Sequence, residues 1–231
     1  MRVNAVIVAA GEGKRMGGDV PKPLLSLAGR PLILHTLSRF AASQARKVIL
    51  VVPEKERRKF ESLVQGNREL SGIECVLQAG GPRRQDSVNE GLKRVDKDCE
   101  IVVVHDAARP LVAPALIDRS IEAARKEGAA VVGVPIKDTI KFVSPEHRVE
   151  STPPRDSLWE IQTPQAFRVE ILREAHRRAE REGIEATDDA MLVERLGRNV
   201  FVLEGDRSNL KITTPEDLLL AEALLRERRV L

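Results

Sequence analysis

Short apolar runs alternate along this chain with longer stretches of helical period. Residues 3–9 form an apolar strand, and residues 31–42 follow as a helix with Ile33, Leu37, Phe40 and Ala41 on one face. Residues 47–52 are again apolar. Residues 54–64 are helical and strongly charged, and residues 73–77 return to a strand. The same rhythm continues through a helix at 83–95, a strand at 101–104, a helix at 113–127 and a strand at 129–134. Strands that are apolar on both faces, separated by amphipathic helices, predict a mostly parallel sheet covered by helices on each side.

The rhythm breaks after Val134. Residues 136–143 alternate with period two, Ser144-Pro145-Glu146-His147 makes a turn, and residues 148–151 return, which predicts an inserted β-hairpin. Unpaired hairpin edges seek partners, so the arm points to a homodimer. Helical patterning resumes at residues 168–182. Thr187-Asp188-Asp189 leads a further helix to residue 196, and residues 200–203 are a strand. Thr214-Pro215-Glu216-Asp217 opens the last helix with an N-cap, a proline at the first position and two acids. The chain therefore reads as one α/β domain over residues 1–231, with a β-arm at about 136–155.

Composition narrows the function. A net charge of +3, with 32% of residues charged and both signs mixed, does not demand a nucleic-acid partner. Five Phe, one Trp and no Tyr provide little stacking surface for single strands. The N-terminus lacks a signal-peptide pattern, and no apolar run approaches the roughly 20 residues of a membrane span. Cys75 and Cys99 are isolated in or beside apolar segments and read as reduced core residues, which fits a cytoplasmic setting.

Six segments carry candidate chemistry. The first strand runs into Ala9-Ala10-Gly11-Glu12-Gly13-Lys14-Arg15-Met16, followed by Pro21-Lys22. Small residues let backbone N–H groups approach phosphate oxygens, and Arg15 and Lys22 supply opposing charge, so this loop suits a nucleoside triphosphate. It is not a P-loop, because no Gly-Lys-Ser/Thr closes it, and Met16 replaces the third glycine of the dinucleotide fingerprint. Gly80-Gly81-Pro82-Arg83-Arg84-Gln85-Asp86-Ser87 is a second strand-to-helix glycine turn, where Arg84 and Ser87 could reach a phosphate or base. His105-Asp106-Ala107-Ala108-Arg109-Pro110 ends an apolar strand, and Asp106 there reads either as a Mg²⁺ ligand or as a turn cap. His105 receives no role. Thr163-Pro164-Gln165, Thr187-Asp188-Asp189 and Asn209-Leu210-Lys211 fall in predicted loops or strand ends, where they serve as caps or as contacts to a polyol phosphate.

Taken in order, these motifs resemble the 2-C-methyl-D-erythritol 4-phosphate cytidylyltransferase family over residues 3 to about 225. The resemblance implies a Rossmann-like, mostly parallel α/β sheet of the nucleotidyltransferase type. It implies transfer of CMP from CTP to methylerythritol phosphate, with pyrophosphate leaving, in non-mevalonate isoprenoid precursor synthesis. Catalysis falls to Arg15, Lys22, Arg155 and Lys211. The nucleotide falls to Ala9, Ala10, Gly11, Gly13, Gly80, Gly81, Arg84 and Ser87. The acceptor falls to Asp106, Arg109, Thr139, Arg155, Thr163, Thr187 and Lys211. Asp106 also takes Mg²⁺ or another divalent cation, and Thr139 and Arg155 act across a homodimer. Two departures stand out. Pro23-Leu24-Leu25 follows Lys22 where many relatives have Gln-Tyr-Leu, and Pro82 stands where an acid often follows the paired glycines. The competing readings are a ribitol 5-phosphate cytidylyltransferase and a non-catalytic nucleotide-binding module.

Overall fold

The computed structural model describes residues 2–11 and 21–230. The first strand, β1 (Arg2–Val8), opens the sheet. A two-residue hairpin, β2 (Ser26–Leu27) and β3 (Arg30–Pro31), then leads into α1 (Leu32–Ala41). There follow β4 (Lys47–Val52), α2 (Arg57–Val64), β5 (Glu74–Ala79), α3 (Arg84–Leu92), β6 (Cys99–Asp106), α4 (Pro114–Glu127) and β7 (Ala129–Pro135). The arm is β8 (Phe142–Val143) and β9 (Val149–Ser151). It is followed by β10 (Trp159–Arg168), α5 (Val169–Glu182), α6 (Asp189–Arg195), β11 (Phe201–Glu204) and α7 (Pro215–Val230).

Seven strands form one sheet in the order β11-β7-β10-β6-β1-β4-β5. All neighbours are parallel except β10, which runs antiparallel between β6 and β7. The chain winds outward from β1 through β4 to β5, then crosses to the other side of β1 to make β6. That reversal places a topological switch point at the carboxyl ends of β1 and β6, where open α/β sheets bind ligands. Register brings those ends level: Val8 faces Asp106 on β6 and Val51 on β4, and Val52 faces Ala79 on β5.

Alternation along the strands splits the core in two. Ala5 and Ile7 of β1 pack with Leu37 and Phe40 of α1 and Ile117 and Ile121 of α4 on one face. Val6 packs with Val88 of α3, Leu172 of α5 and Val193 of α6 on the other. A third cluster joins Leu27, Leu32 and Leu111 to Ile212, Ala221 and Leu225, so α7 clasps the β2–β3 hairpin. Cys75 and Cys99 are free thiols, half-buried and buried. Among the described residues no helix is long and apolar enough to cross a membrane.

Two expectations change. The arm exists, but its pairing is shorter than the alternation implied: only Phe142 and Val143 oppose Val149–Ser151, not the whole of 136–143. Continued past Lys141 and Thr152, that register meets Pro153 and Pro154, which have no N–H to donate. Thr163-Pro164-Gln165 lies inside the ten-residue strand β10, not in a loop. Pro164 is accommodated because the β10–β7 register shifts between Gln162 and Gln165, so the ladder needs no donor from it.

Candidate active site

The nucleotide half of the site starts where β1, β4 and β5 end. Ala9 N–H donates to Val51 O at 2.7 Å and Gly80 N–H to Val52 O at 2.9 Å, so both residues continue the sheet for one bond past its strands. Gly80 has no room for a side chain: a Cβ there would lie 2.4 Å from Ala10 Cβ and 2.9 Å from Ser87 Oγ. Ser87 is buried, accepting from Gly81 N–H at 3.2 Å and donating to Gly81 O at 3.3 Å, which ties the glycine turn to α3. Gly11 is exposed at the end of this ledge, and Lys22 opens a short 3₁₀ turn, Lys22–Leu24. Gly13 and Arg15 lie outside the described residues.

The charged half gathers on Asp106, the last residue of β6. Lys211 Nζ lies 2.7 Å from its Oδ2, and Arg84 Nε donates to its Oδ1 at 3.1 Å. Arg84 also donates through Nη1 to Asp189 Oδ2 at 2.7 Å, and the other oxygen of Asp189 meets His176 Nε2 at 3.0 Å. Burial pushes the Asp106 carboxyl up, but Arg84, Lys211 and Arg109 outweigh it and hold the group well below the usual carboxylate range. Burial raises Asp189 too, and Arg84 with His176 reverses that to a net lowering. Burial lowers Arg84, while Asp189 and Asp106 overcompensate and hold it more firmly protonated. Both acids are therefore anions, and Arg84 is the cation shared between them.

His105 is fully buried, and burial pushes its imidazole down to about 4. Its Nδ1 faces Thr163 Oγ1 at 3.0 Å and its Nε2 faces Arg109 O at 3.2 Å. Thr163 Oγ1 in turn accepts the Asp106 N–H at 3.1 Å. Arg109 is buried, its Nη1 donates to Asn209 O at 2.7 Å, and its Nε has no hydrogen-bond partner among the described residues.

The sequence-predicted residues thus divide. Ala9, Ala10, Gly11, Gly80, Gly81, Ser87 and Arg84 surround the switch point with Asp106, Arg109, Thr163 and Lys211. Thr187 is exposed in the bend before α6. Thr139 and Arg155 are exposed at the base of the arm, where Arg155 Nη1 donates to Lys137 O at 3.0 Å. Two side chains escaped sequence reading. Asp189 and His176 are both buried, but Asp189 looks like a helix-start acid and His176 like an ordinary position of α5. Asp188 is the N-cap that the pattern implied, accepting from Met191 N–H at 3.0 Å.

A divalent cation at Asp106 would displace Lys211 or Arg84 from one of its oxygens and complete its shell elsewhere. Among the described residues no group of three His, Cys, Asp or Glu side chains converges, and Asp106 alone offers a hard oxygen at the strand end. Mg²⁺ typically takes one or two carboxylates and fills its octahedron with phosphate oxygens and water.

A glycine-lined ledge beside a carboxylate carrying two cations, at the switch point of an open sheet, defines a binder of phosphorylated nucleotides. Comparison with known proteins narrows the class. The family model for 2-C-methyl-D-erythritol 4-phosphate cytidylyltransferase matches residues 3–227. The protein of that name from Bacillus pumilus is 49% identical over 231 residues, covering 99% of each chain. The solved structure of 4-diphosphocytidyl-2C-methyl-D-erythritol synthase from Anaerococcus prevotii superposes with a TM-score of 0.85 at 31% identity, covering 97% of this chain and 98% of that one. The cytidylyltransferase structure from Thermus thermophilus gives a TM-score of 0.79 at 39% identity, covering 98% and 100%. The chain belongs to the 2-C-methyl-D-erythritol 4-phosphate cytidylyltransferase family.

Proposed function

We propose that this protein transfers CMP from CTP to 2-C-methyl-D-erythritol 4-phosphate in isoprenoid precursor synthesis. An oxygen of the acceptor phosphate forms a bond to the α-phosphorus of CTP. The bond from that phosphorus to the β-phosphate bridge breaks, and pyrophosphate leaves. The observation that carries this reading is Asp106 with Lys211 and Arg84 on its two oxygens, in a chain matched from residue 3 to 227 by that family.

Each side chain has a role fixed by its chemistry. The backbone of Ala9, Ala10 and Gly11 would take the triphosphate, a role the family motif extends to Gly13, and Gly80, Gly81 and Ser87 would hold the nucleoside, with Arg84 beside them. Arg15 and Lys22 stabilise charge that builds on the transferring phosphate, an electrostatic contribution that costs no reorganisation when the groups are preset. Lys211 has a half-exposed side chain and can leave Asp106 for a phosphate oxygen. Arg109, Thr163 and Thr187 bound the acceptor. Asp106 would hold Mg²⁺ or another divalent cation, which supplies neutralisation of phosphate charge.

The arm reaches a second copy of the chain. Phe142, Val143 and Val149 are 59%, 50% and 61% exposed, an apolar tip that a partner would cover. In this homodimer Thr139 and Arg155 complete the neighbour's acceptor site, Arg155 with a planar fork suited to phosphate. The protein works as one nucleotidyltransferase domain in the cytoplasm, with small-molecule substrates and neither nucleic-acid nor membrane partners. The test is pyrophosphate release from CTP, ATP, GTP and UTP, each with methylerythritol phosphate and with ribitol 5-phosphate. CTP with methylerythritol phosphate should dominate. A preference for ribitol 5-phosphate, or no turnover with CTP, would overturn the assignment.

A further inference from the structure

Four hydrogen bonds close a ring through the end of β6, β10 and the loop that carries Lys211. Arg109 Nη1 donates to Asn209 O at 2.7 Å, and Asn209 Nδ2 donates to Thr163 O at 2.8 Å. The Thr163 hydroxyl lies 3.0 Å from His105 Nδ1, and His105 Nε2 lies 3.2 Å from Arg109 O. A carbonyl can only accept, so the proton sits on Nε2 and Nδ1 is left to accept. Thr163 Oγ1 already accepts from Asp106 N–H, which frees its own proton for Nδ1. Every bond then has one donor and one acceptor, and the ring returns to the residue where it began. All four members are buried, Asn209 at 1% and His105 at 0% exposure.

The ring's members come from the end of β6, from β10 and from the loop before α7. Asn209 lies two residues before Lys211, and Ile212 N–H docks the same loop by donating to Ala108 O at 2.8 Å. Ala9, Gly80 and Ser87 are tied instead to Val51, Val52 and Gly81, on the far side of β1. We propose that His105 and Asn209 are positioning residues. They close a buried ring that sets the Asp106 turn, β10 and the Lys211 loop in one register, so that Arg109 and Lys211 meet the acceptor phosphate together beside Asp106. The inference rests on reading this site as one for cytidylyl transfer.

The test uses Asn209→Asp, which removes the Nδ2 donors at nearly constant size, and His105→Phe, which removes both imidazole bonds while keeping a ring against Phe40, now 5.1 Å away between centroids. Misplacement of about 1 Å costs about 10²-fold. Each variant should therefore lose about that factor in kcat/KM for the acceptor, while the CTP dissociation constant stays within about twofold. If Asn209 acts through Lys211, the losses must not multiply: in a Lys211→Met background Asn209→Asp should cost less than about threefold more. His105→Gln, which restores one amide, should recover part of the loss. A full second loss on top of Lys211→Met, or CTP affinity falling in parallel, would overturn the proposal.

A wild-type measurement stands apart from any variant's folding. Imidazole nitrogen NMR of the unliganded protein should show His105 protonated on Nε2 with Nδ1 accepting. A proton on Nδ1 would break the ring and refute the proposal. Absence of turnover with CTP and methylerythritol phosphate would instead defeat the functional reading, leaving the NMR result to decide the ring.

Discussion

Asp189→Asn should destabilise the fold more than any exposed substitution, because of what the change leaves behind. The carboxylate is 1% exposed, takes Arg84 Nη1 on one oxygen at 2.7 Å and meets His176 Nε2 on the other at 3.0 Å. Asparagine keeps the shape and one accepting oxygen, but it removes the charge that offsets a largely buried guanidinium. Removing one partner of a buried ion pair costs about 3–5 kcal/mol, and the retained acceptor places this case near about 3. At about 2–4 °C per kcal/mol for a chain of this size, Tm should fall by about 6–12 °C. Thermal unfolding by circular dichroism reads it directly. The mechanism also demands that the effect shrink in an Arg84→Met background, where no guanidinium waits for the missing charge. A fall of under about 2 °C, or an equal fall in both backgrounds, would refute the reasoning.

Three further outcomes follow from other parts of the site. His105 is held neutral, its value pushed from 6.5 to about 4 by burial, so as pH falls the unfolded chain takes up the proton first. Its stability contribution is complete above pH 6.5 and is lost on descending toward 4, about 2–3 kcal/mol between pH 7.5 and 4.5. Urea unfolding should show that slope, and His105→Phe should flatten it; an unchanged slope would remove His105 as its source. Gly80→Ala places a Cβ against Ala10 and Ser87, so CTP affinity should fall at least about tenfold while far-UV circular dichroism is retained; tight CTP binding in that variant would move the nucleotide elsewhere. Mixing an Arg155→Ala subunit with a Lys22→Ala subunit should restore activity if the arm acts across the dimer, because each mixed dimer then has one intact site; an inactive mixture would place Arg155 in its own subunit's site.

The strands of this fold were legible where burial on both faces left an apolar run. Residues 47–52 coincide with β4, and residues 101–104 mark the core of β6. β10 was hidden because half of its buried stretch is polar: Gln162, Thr163 and Gln165 are held by hydrogen bonds, a proline stands among them, and only Ala166 and Phe167 are apolar. The polar ring that makes β10 illegible also makes it matter. The glycine turns and Asp106 could be placed at the sheet edge from local pattern alone. The convergence of Lys211 and Arg84 on Asp106 spans separations of 105 and 22 residues in the chain, and periodicity does not encode it. Asp189 wore the disguise of a helix-start acid: its neighbour Asp188 does the capping, while Asp189 turns inward to the arginine.

The central claim is cytidylyl transfer, and CTP labelled at its α-phosphate tests it most directly. With methylerythritol phosphate as acceptor, the label should appear in the cytidylylated product and none in pyrophosphate. Label in CDP, with the γ-phosphate passed to the acceptor, would make the protein a kinase and contradict the account.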